Sequence, residues 1–328
     1  MRAGDRWTGW VAGCLVAWLA TFGAVAGQEA ESKRGHLNVP MRTLGGQQFW
    51  TDHRWWHGWR LQHNLFTGHW RLIDERDIRR AWGSRDACLA ALTRRQAEVT
   101  VPEPPNSVVV LLHGLMRSSD SMAPMATAFS ARGDSLPISF SYASTQSSIE
   151  DHAAALREWV EHLPGQPKVS FVGHSLGNIV VRRTIALWQR DGDPERVLSR
   201  LHRVVMLGPP NQGSSIARRL ATLGLFEKVT GTSGQELGAV WDDLQQRLAT
   251  PPCPFCIVAG DLSESSLKNP LLAGKSDFVV TLEETRLDGA AEYVTLPVLH
   301  SFLMSDSAAQ AATLRFIEPV ATDPIPAN

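Results

Sequence analysis

Val169-Ser170-Phe171-Val172-Gly173-His174-Ser175-Leu176-Gly177-Asn178 is the stretch on which the fold turns. Val169, Phe171 and Val172 make an apolar strand, and Asn178 to Gln189 follows as an amphipathic helical run. A strand, a sharp turn and a helix around Gly-His-Ser-Leu-Gly form the setting of a nucleophile elbow. Such a turn forces Ser175 into a backbone conformation that few side chains tolerate. It also holds the hydroxyl clear of the fold at a helix N-terminus, where the helix dipole favours developing negative charge. Gly173 and Gly177 carry no Cβ, so strand and helix can close in around the serine. The competing reading is a plain Gly/Ser turn, and the flanking apolar pattern weighs against it.

Outward from this stretch, apolar strands alternate with amphipathic helices. Val108 to Leu112 is an unbroken run of branched and leucine residues, the mark of a strand buried on both faces. Ser119 to Ala131 reads as a helix and Ile138 to Tyr142 as a strand. Ser147 with Glu150 fits a capping box for the next helix, which carries Ile149, Ala153, Leu156 and Val160 on one side. The elbow helix should end near Gly192. Strands follow at Arg203–Leu207, Phe255–Ala259 and Glu292–Leu296, and a helix at Asp306–Ile317 closes the pattern. Strands spaced by helices imply βαβ units. The expected fold is α/β, with a mainly parallel central sheet and helices on both faces.

Three other segments frame this domain. Residues 1–27 read as an export signal: Arg2 and Arg6, then the charge-free run Val11 to Ala26, then the small-residue pattern Ala24-Val25-Ala26. Cleavage there implies a periplasmic or extracellular protein; an uncleaved anchor is the alternative. Residues 28–100 comprise a polar linker and a Trp-rich extension. In it Trp50, Trp55, Trp56, Trp59, Trp70 and Trp82 are interleaved with His53, His57, His63 and His69. Trp59–Gln62 and Trp70–Ile73 around Thr67-Gly68 predict a β-hairpin, and Ser84–Arg95 a short helix. The histidines lack ligand spacing, so the tryptophans are expected to pack on the main core rather than to hold a sugar or a metal. Residues 101–320 form the main domain. Within it, residues 214–251 carry two apolar faces at helical spacing, the pattern of two helices packed on the sheet.

Composition bounds the function. The 328-residue chain is 43% hydrophobic with a formal net charge of −1. It can build a large core, and it carries no global field to recruit nucleic acid. Once a signal is removed, the cysteines are Cys88, Cys253 and Cys256. Cys256 begins an apolar strand and reads as a buried small hydrophobe, while a disulfide through Cys253 stays open. No HExxH or comparable cluster occurs, so neither metal nor cofactor is expected.

A serine nucleophile needs a base, and the base needs a carboxylate. In the chain order serine, acid, histidine, the one histidine after His202 is His300, directly beyond the last strand. Asp277 is preferred as the acid because a loop gives it reach; Asp261, at the end of a strand, is the alternative. The oxyanion donors should be the backbone N–H of Leu176 and of Leu115, the latter in the loop His113-Gly114-Leu115-Met116. His113 is expected to brace that loop, and His174 to pack beneath the elbow.

Together these residues resemble the α/β-hydrolase superfamily, in its serine lipase and esterase branch. Leu112-His113-Gly114-Leu115 is similar to that branch's oxyanion loop. Gly208-Pro209-Pro210-Asn211-Gln212-Gly213-Ser214 is similar to its Pro-Asn-x-Gly-Ser segment. Ser276-Asp277-Phe278-Val279-Val280 is similar to its acid motif, except that the family often has glycine where Phe278 stands. The resemblance covers about 107–318, leaves out the Trp-rich extension, and implies a cap at 214–251 as the alternative to two helices packed on the sheet. It implies cleavage of a small-molecule or lipid ester through an acyl-enzyme, with membrane contact only at a lipid interface or through an uncleaved signal. Thioesterase or acyltransferase chemistry on the same triad, and a non-catalytic glycan- or surface-binding module, are the alternatives.

Overall fold

The computed structural model describes residues 41–42, 48–100, 103–221, 232–238, 240–267 and 269–318. The expected export signal at 1–27, the expected linker to residue 40 and part of the 214–251 region lie outside the described residues. No helix among the described residues is long and apolar enough to cross a membrane.

Among the described residues, eleven strands build two sheets. Strands β1 (Met41–Arg42), β2 (Trp50–Trp56), β3 (Trp59–Asn64), β4 (Trp70–Ile73) and β5 (Ile78–Gly83) form an antiparallel sheet in the order β1-β5-β4-β3-β2. Strands β6 (Ser107–Leu112), β7 (Leu136–Phe140), β8 (Lys168–His174), β9 (Leu201–Leu207), β10 (Phe255–Gly260) and β11 (Glu292–Leu296) form an all-parallel sheet in the order β11-β10-β9-β8-β6-β7. Strand β8, which leads into Ser175, lies inside this second sheet.

Alternation along β6 shows how the core is layered. Val108, Val110 and Leu112 face one way, into a cluster with Leu156, Trp159, Ile179 and Trp188 from the helices Ile149–Glu161 and Leu176–Asp191. Val109 and Leu111 face the other way, against Met125 and Phe129 of Ala123–Arg132 and Ala309 and Phe316 of Ser307–Ile317. All five of these β6 residues are fully buried, each stabilising the fold by roughly 1.5–3 kcal/mol.

The structure amends several local expectations. Ser119–Ala131 divides into a 3-10 turn, Ser119–Met122, and a helix, Ala123–Arg132. The capping box falls on Ser148 and Asp151, one residue beyond Ser147 and Glu150. Of the region 214–251, short helices at Ser215–Ala221 and Trp241–Gln245 are described.

The expected hairpin is the centre of the five-stranded sheet. Trp56, Trp59 and Trp70 pack not on the main core but with Leu61, Leu72, Cys88 and Leu92, under the helix Arg85–Glu98. Trp55 packs on the main core. Three cross-strand partners of this sheet form a buried polar ladder. Gln62 Nε2 donates to Asp52 Oδ1 (2.6 Å) and Arg71 Nε donates to Gln62 Oε1 (2.8 Å). The Arg71 guanidinium lies 3.9 Å over the Trp50 ring. The sheet is docked on the helix Ile149–Glu161 through Glu158, which meets His53 at 2.8 Å, Arg85 at 2.5 Å, and Arg54. These partners outweigh burial and hold the Glu158 carboxyl down at about 2. All three described cysteines are free thiols; Cys88 and Cys256 are buried and Cys253 is partly so.

Candidate active site

Ser175 sits between β8 and the helix Leu176–Asp191 with φ 52° and ψ −121°. That is a strained setting for a non-glycine residue, of the kind that clusters at functional sites. Its N–H donates to Leu207 C=O (2.9 Å), and Asn178 Nδ2 donates to the C=O of both Ser175 (3.1 Å) and Leu207 (3.3 Å). The elbow is thereby tied to the end of β9. The two elbow glycines stand where strand and helix are closest. A Cβ on Gly173 would lie 2.4 Å from Asn178 Oδ1, and one on Gly177 2.8 Å from the carbonyl oxygens of Leu112 and His113. Leu176 is the first residue of its helix, so its N–H has no intrahelical acceptor. The Leu115 N–H donates to no acceptor among the described residues.

His300 opens a short 3-10 turn, His300–Phe302, beyond β11, and is 6% exposed. Its Nδ1–H donates to Asp277 Oδ2 at 2.7 Å, which leaves the Nε2 lone pair free to accept a proton. Its N–H also donates to Asp277 C=O at 2.9 Å. Asp277 is fully buried, and its Oδ1 accepts the N–H groups of Val279 (3.0 Å) and Val280 (2.7 Å). Both of its oxygens are thus occupied by donors suited to a carboxylate. Asp261 is used otherwise: its Oδ1 takes the Ser263 N–H at 2.9 Å and its Oδ2 lies 3.7 Å from Lys275 Nζ.

Two glycines that the sequence reading did not assign to the site make room for the pair. A Cβ on Gly208, after β9, would stand 2.9 Å from His300 Nδ1, and one on Gly260, ending β10, 2.5 Å from Asp277 Cβ. Both close a strand at the carboxyl edge of the sheet, which is the signal that could have found them. The His300 imidazole therefore lies against the end of β9, the same strand end that receives the Ser175 N–H. It also packs at 4.7 Å on His174, the neighbour of Ser175 in the chain.

Beneath this corner lie neutral histidines. His174 Nε2–H donates to His300 C=O (2.9 Å) and His113 Nδ1–H to Gly114 C=O (2.9 Å). His113 stacks on Tyr142 and His152 meets the same ring edge-on; the Tyr142 hydroxyl donates to His113 C=O at 2.5 Å. Burial pushes His113 down to about 4 and His152 to about 3, and holds His174 well below its ordinary range. An unfolded chain binds these protons near pH 6.5, whereas the folded one refuses them until pH 4 or lower. Their contribution is whole above pH 6.5 and is lost as pH falls toward 4, by about 1.4 kcal/mol per pH unit for each histidine. Asp52, Glu236 and Glu318, raised by burial, oppose this, while His63 and His202, lowered by burial, add to it. The thermal midpoint should therefore fall between pH 7.5 and pH 5; a flat or rising midpoint would contradict the assignment.

Phe278 stands at φ 84°, in the left-handed region, at the place where the resembled family often has glycine. The conformation costs a phenylalanine on the order of 1–2 kcal/mol and a glycine almost nothing. Part of the gain from Phe278→Gly is offset by the freer unfolded chain. The thermal midpoint of this variant should rise by about 1–3 °C; calorimetry showing a fall would overturn the strain argument.

Among the described residues, no group of three or more His, Cys, Asp or Glu is placed to hold a metal ion. Residues 102–214 match the family described as "Putative serine esterase (DUF676)". The similar solved structures include three described as a lipase, a phospholipase and a carboxyl esterase. A Bacillus licheniformis lipase in its mature form is 18% identical, with 67% of this chain and 95% of that one covered and a TM-score of 0.48. Phospholipase PlaB from Legionella pneumophila, in complex with thio-NAD, is 16% identical, with 63% of this chain and 56% of that one covered and a TM-score of 0.49. A metagenomic carboxyl esterase is 16% identical, with 62% and 68% covered and a TM-score of 0.48. No curated protein matches.

Proposed function

We propose that this chain, an α/β-hydrolase fold whose residues 102–214 match a serine esterase family, cleaves carboxylic esters through an acyl-enzyme. The observation that carries the reading is the His300–Asp277 pair, bonded at 2.7 Å and packed against the strand end that anchors the strained Ser175. Ser175 Oγ attacks the ester carbonyl while His300 Nε2 takes its proton. Asp277 holds the imidazole in the required tautomer and stabilises the imidazolium. The carbonyl oxygen, now negative, is met by the N–H groups of Leu176 and Leu115, each worth roughly 3 kcal/mol in the transition state. The tetrahedral intermediate collapses, the alkoxide leaves with the proton from His300, and Ser175 carries the acyl group. Water then repeats the sequence: His300 takes its proton, the new tetrahedral carbon expels Ser175 Oγ, and the acid departs.

Export on residues 1–27 belongs to the same proposal and is supported by the sequence alone. Hydrolysis is tested on p-nitrophenyl esters of graded acyl length. The account expects saturable turnover on at least one of them by the wild type and none above background by Ser175→Ala. Turnover that survives Ser175→Ala, or a wild type inert on the whole series, would refute it.

A further inference from the structure

We propose that the Trp-rich sheet is a working part of the active site, and that Gln48 is a positioning residue for the oxyanion loop. The inference rests on the hydrolase reading above, and it gives a role to the one segment that the family resemblance leaves out.

The oxyanion loop is a strained turn. Arg117 N–H donates to Gly114 C=O at 3.3 Å, closing a four-residue turn over Leu115 and Met116. Met116 has φ 59°, while Leu115 keeps a negative φ, the pattern of a type II turn. That position belongs to glycine or asparagine, and methionine fits it badly. Rotating the Leu115–Met116 peptide would return Met116 to a comfortable type I conformation, so something must hold the turn as it is. The turn also lies hard against the nucleophile: a Cβ on Gly114 would stand 2.8 Å from His174 Nδ1 and 3.1 Å from Ser175 Cβ. A shift in this turn therefore shifts the Leu115 N–H relative to Ser175.

Two bonds hold it, one at each end of Met116. The Met116 N–H donates to Ser144 Oγ at 3.1 Å, which opposes the peptide rotation. Gln48 Nε2 donates to Met116 C=O at 3.1 Å. Gln48 lies just ahead of β2 in the antiparallel sheet, 68 residues from Met116.

The two anchors are fastened to one another. The Asp52 N–H donates to Ser141 C=O (2.9 Å), Asp52 Oδ2 accepts the Ser141 N–H (2.9 Å), and Thr51 Oγ1 accepts the Ala143 N–H (3.3 Å). The start of β2 is thus laced to residues 141–143, next to Ser144. Asp52 is itself aimed by the buried ladder through Gln62 to Arg71. The polar core of the extension serves this junction.

The test compares wild type, Gln48→Ala, Gln48→Glu and Ser175→Ala on a p-nitrophenyl ester. It adds inhibition by a trifluoromethyl ketone, whose hemiketal oxygen occupies the oxyanion site. Removing an oxyanion donor outright costs about 10²–10³ in kcat; loosening one should cost Gln48→Ala about tenfold. KM should stay within about twofold, the inhibition constant should rise in step with the loss of kcat, and the thermal midpoint should hold. Gln48→Glu cannot donate to a carbonyl, so it should do no better than alanine. An unchanged kcat in Gln48→Ala beside an active wild type would overturn this inference alone. So would a kcat loss that comes with a lower thermal midpoint and an unaltered inhibition constant. A wild type that turns over no ester, or a Ser175→Ala protein that does, would overturn the hydrolase reading and this inference with it.

Discussion

Ser175→Ala is expected to lower kcat for an ester by roughly 10⁴- to 10⁶-fold while the fold stays intact. The methyl group leaves no atom to attack the carbonyl. The residual rate comes from the oxyanion donors acting on water. Folding should not suffer: the elbow is tied through its backbone, by the Ser175 N–H to Leu207 and by Asn178, and none of those bonds uses the hydroxyl. His300→Ala should fall to a similar level, and the double variant little further, because groups that act as one unit do not add. Steady-state kinetics on the three proteins, with circular dichroism for the fold, decides this. Losses that multiply in the double variant would mean that Ser175 and His300 act separately.

Asp277→Asn is expected to cost about 10⁴ in kcat, with KM little changed. The amide oxygen can keep the N–H bonds of Val279 and Val280. The NH₂ group then faces His300 Nδ1, where an acceptor is required. The imidazole must offer its lone pair to that donor, and its proton moves to Nε2, the nitrogen that should accept from Ser175. Asp261→Asn serves as the control. Its carboxylate takes the Ser263 N–H and faces Lys275, so kcat should change less than about threefold. The reverse ranking of the two variants would show that the acid has been misassigned.

The sequence carried the parallel sheet well, for a local reason. A buried parallel strand is a continuous apolar run, and Val108–Leu112, Phe171–Val172 and Phe255–Ala259 need no knowledge of their partners to be recognised. Ser175 was marked by its glycines and its strand-turn-helix context, and His300 by the exclusion of other histidines. Between Asp277 and Asp261 local sequence could only prefer, because what separates them is which carboxylate finds His300 and which finds Ser263. The capping box slipped by one residue because Ser147-Ser148 and Glu150-Asp151 offer two equivalent registers, and only the path of the backbone selects between them.

The Trp-rich extension was the least legible part, and long-range pairing explains why. Its antiparallel register depends on partners across strands, and nothing local marks Asp52, Gln62 and Arg71 as one buried row before that pairing sets them side by side. The bond from Gln48 to Met116 leaves no local mark in either segment. Met116 at positive φ, like Phe278, breaks a local rule, and both breaks fall beside the candidate site, where such departures gather.

Fluorophosphonate labelling followed by intact-mass measurement and peptide mapping tests the central claim most directly. The account predicts one equivalent bound to Ser175, absent from Ser175→Ala and formed far more slowly in His300→Ala. A folded wild-type protein that takes up no label, or takes it up on another residue with Ser175 unmodified, would contradict it.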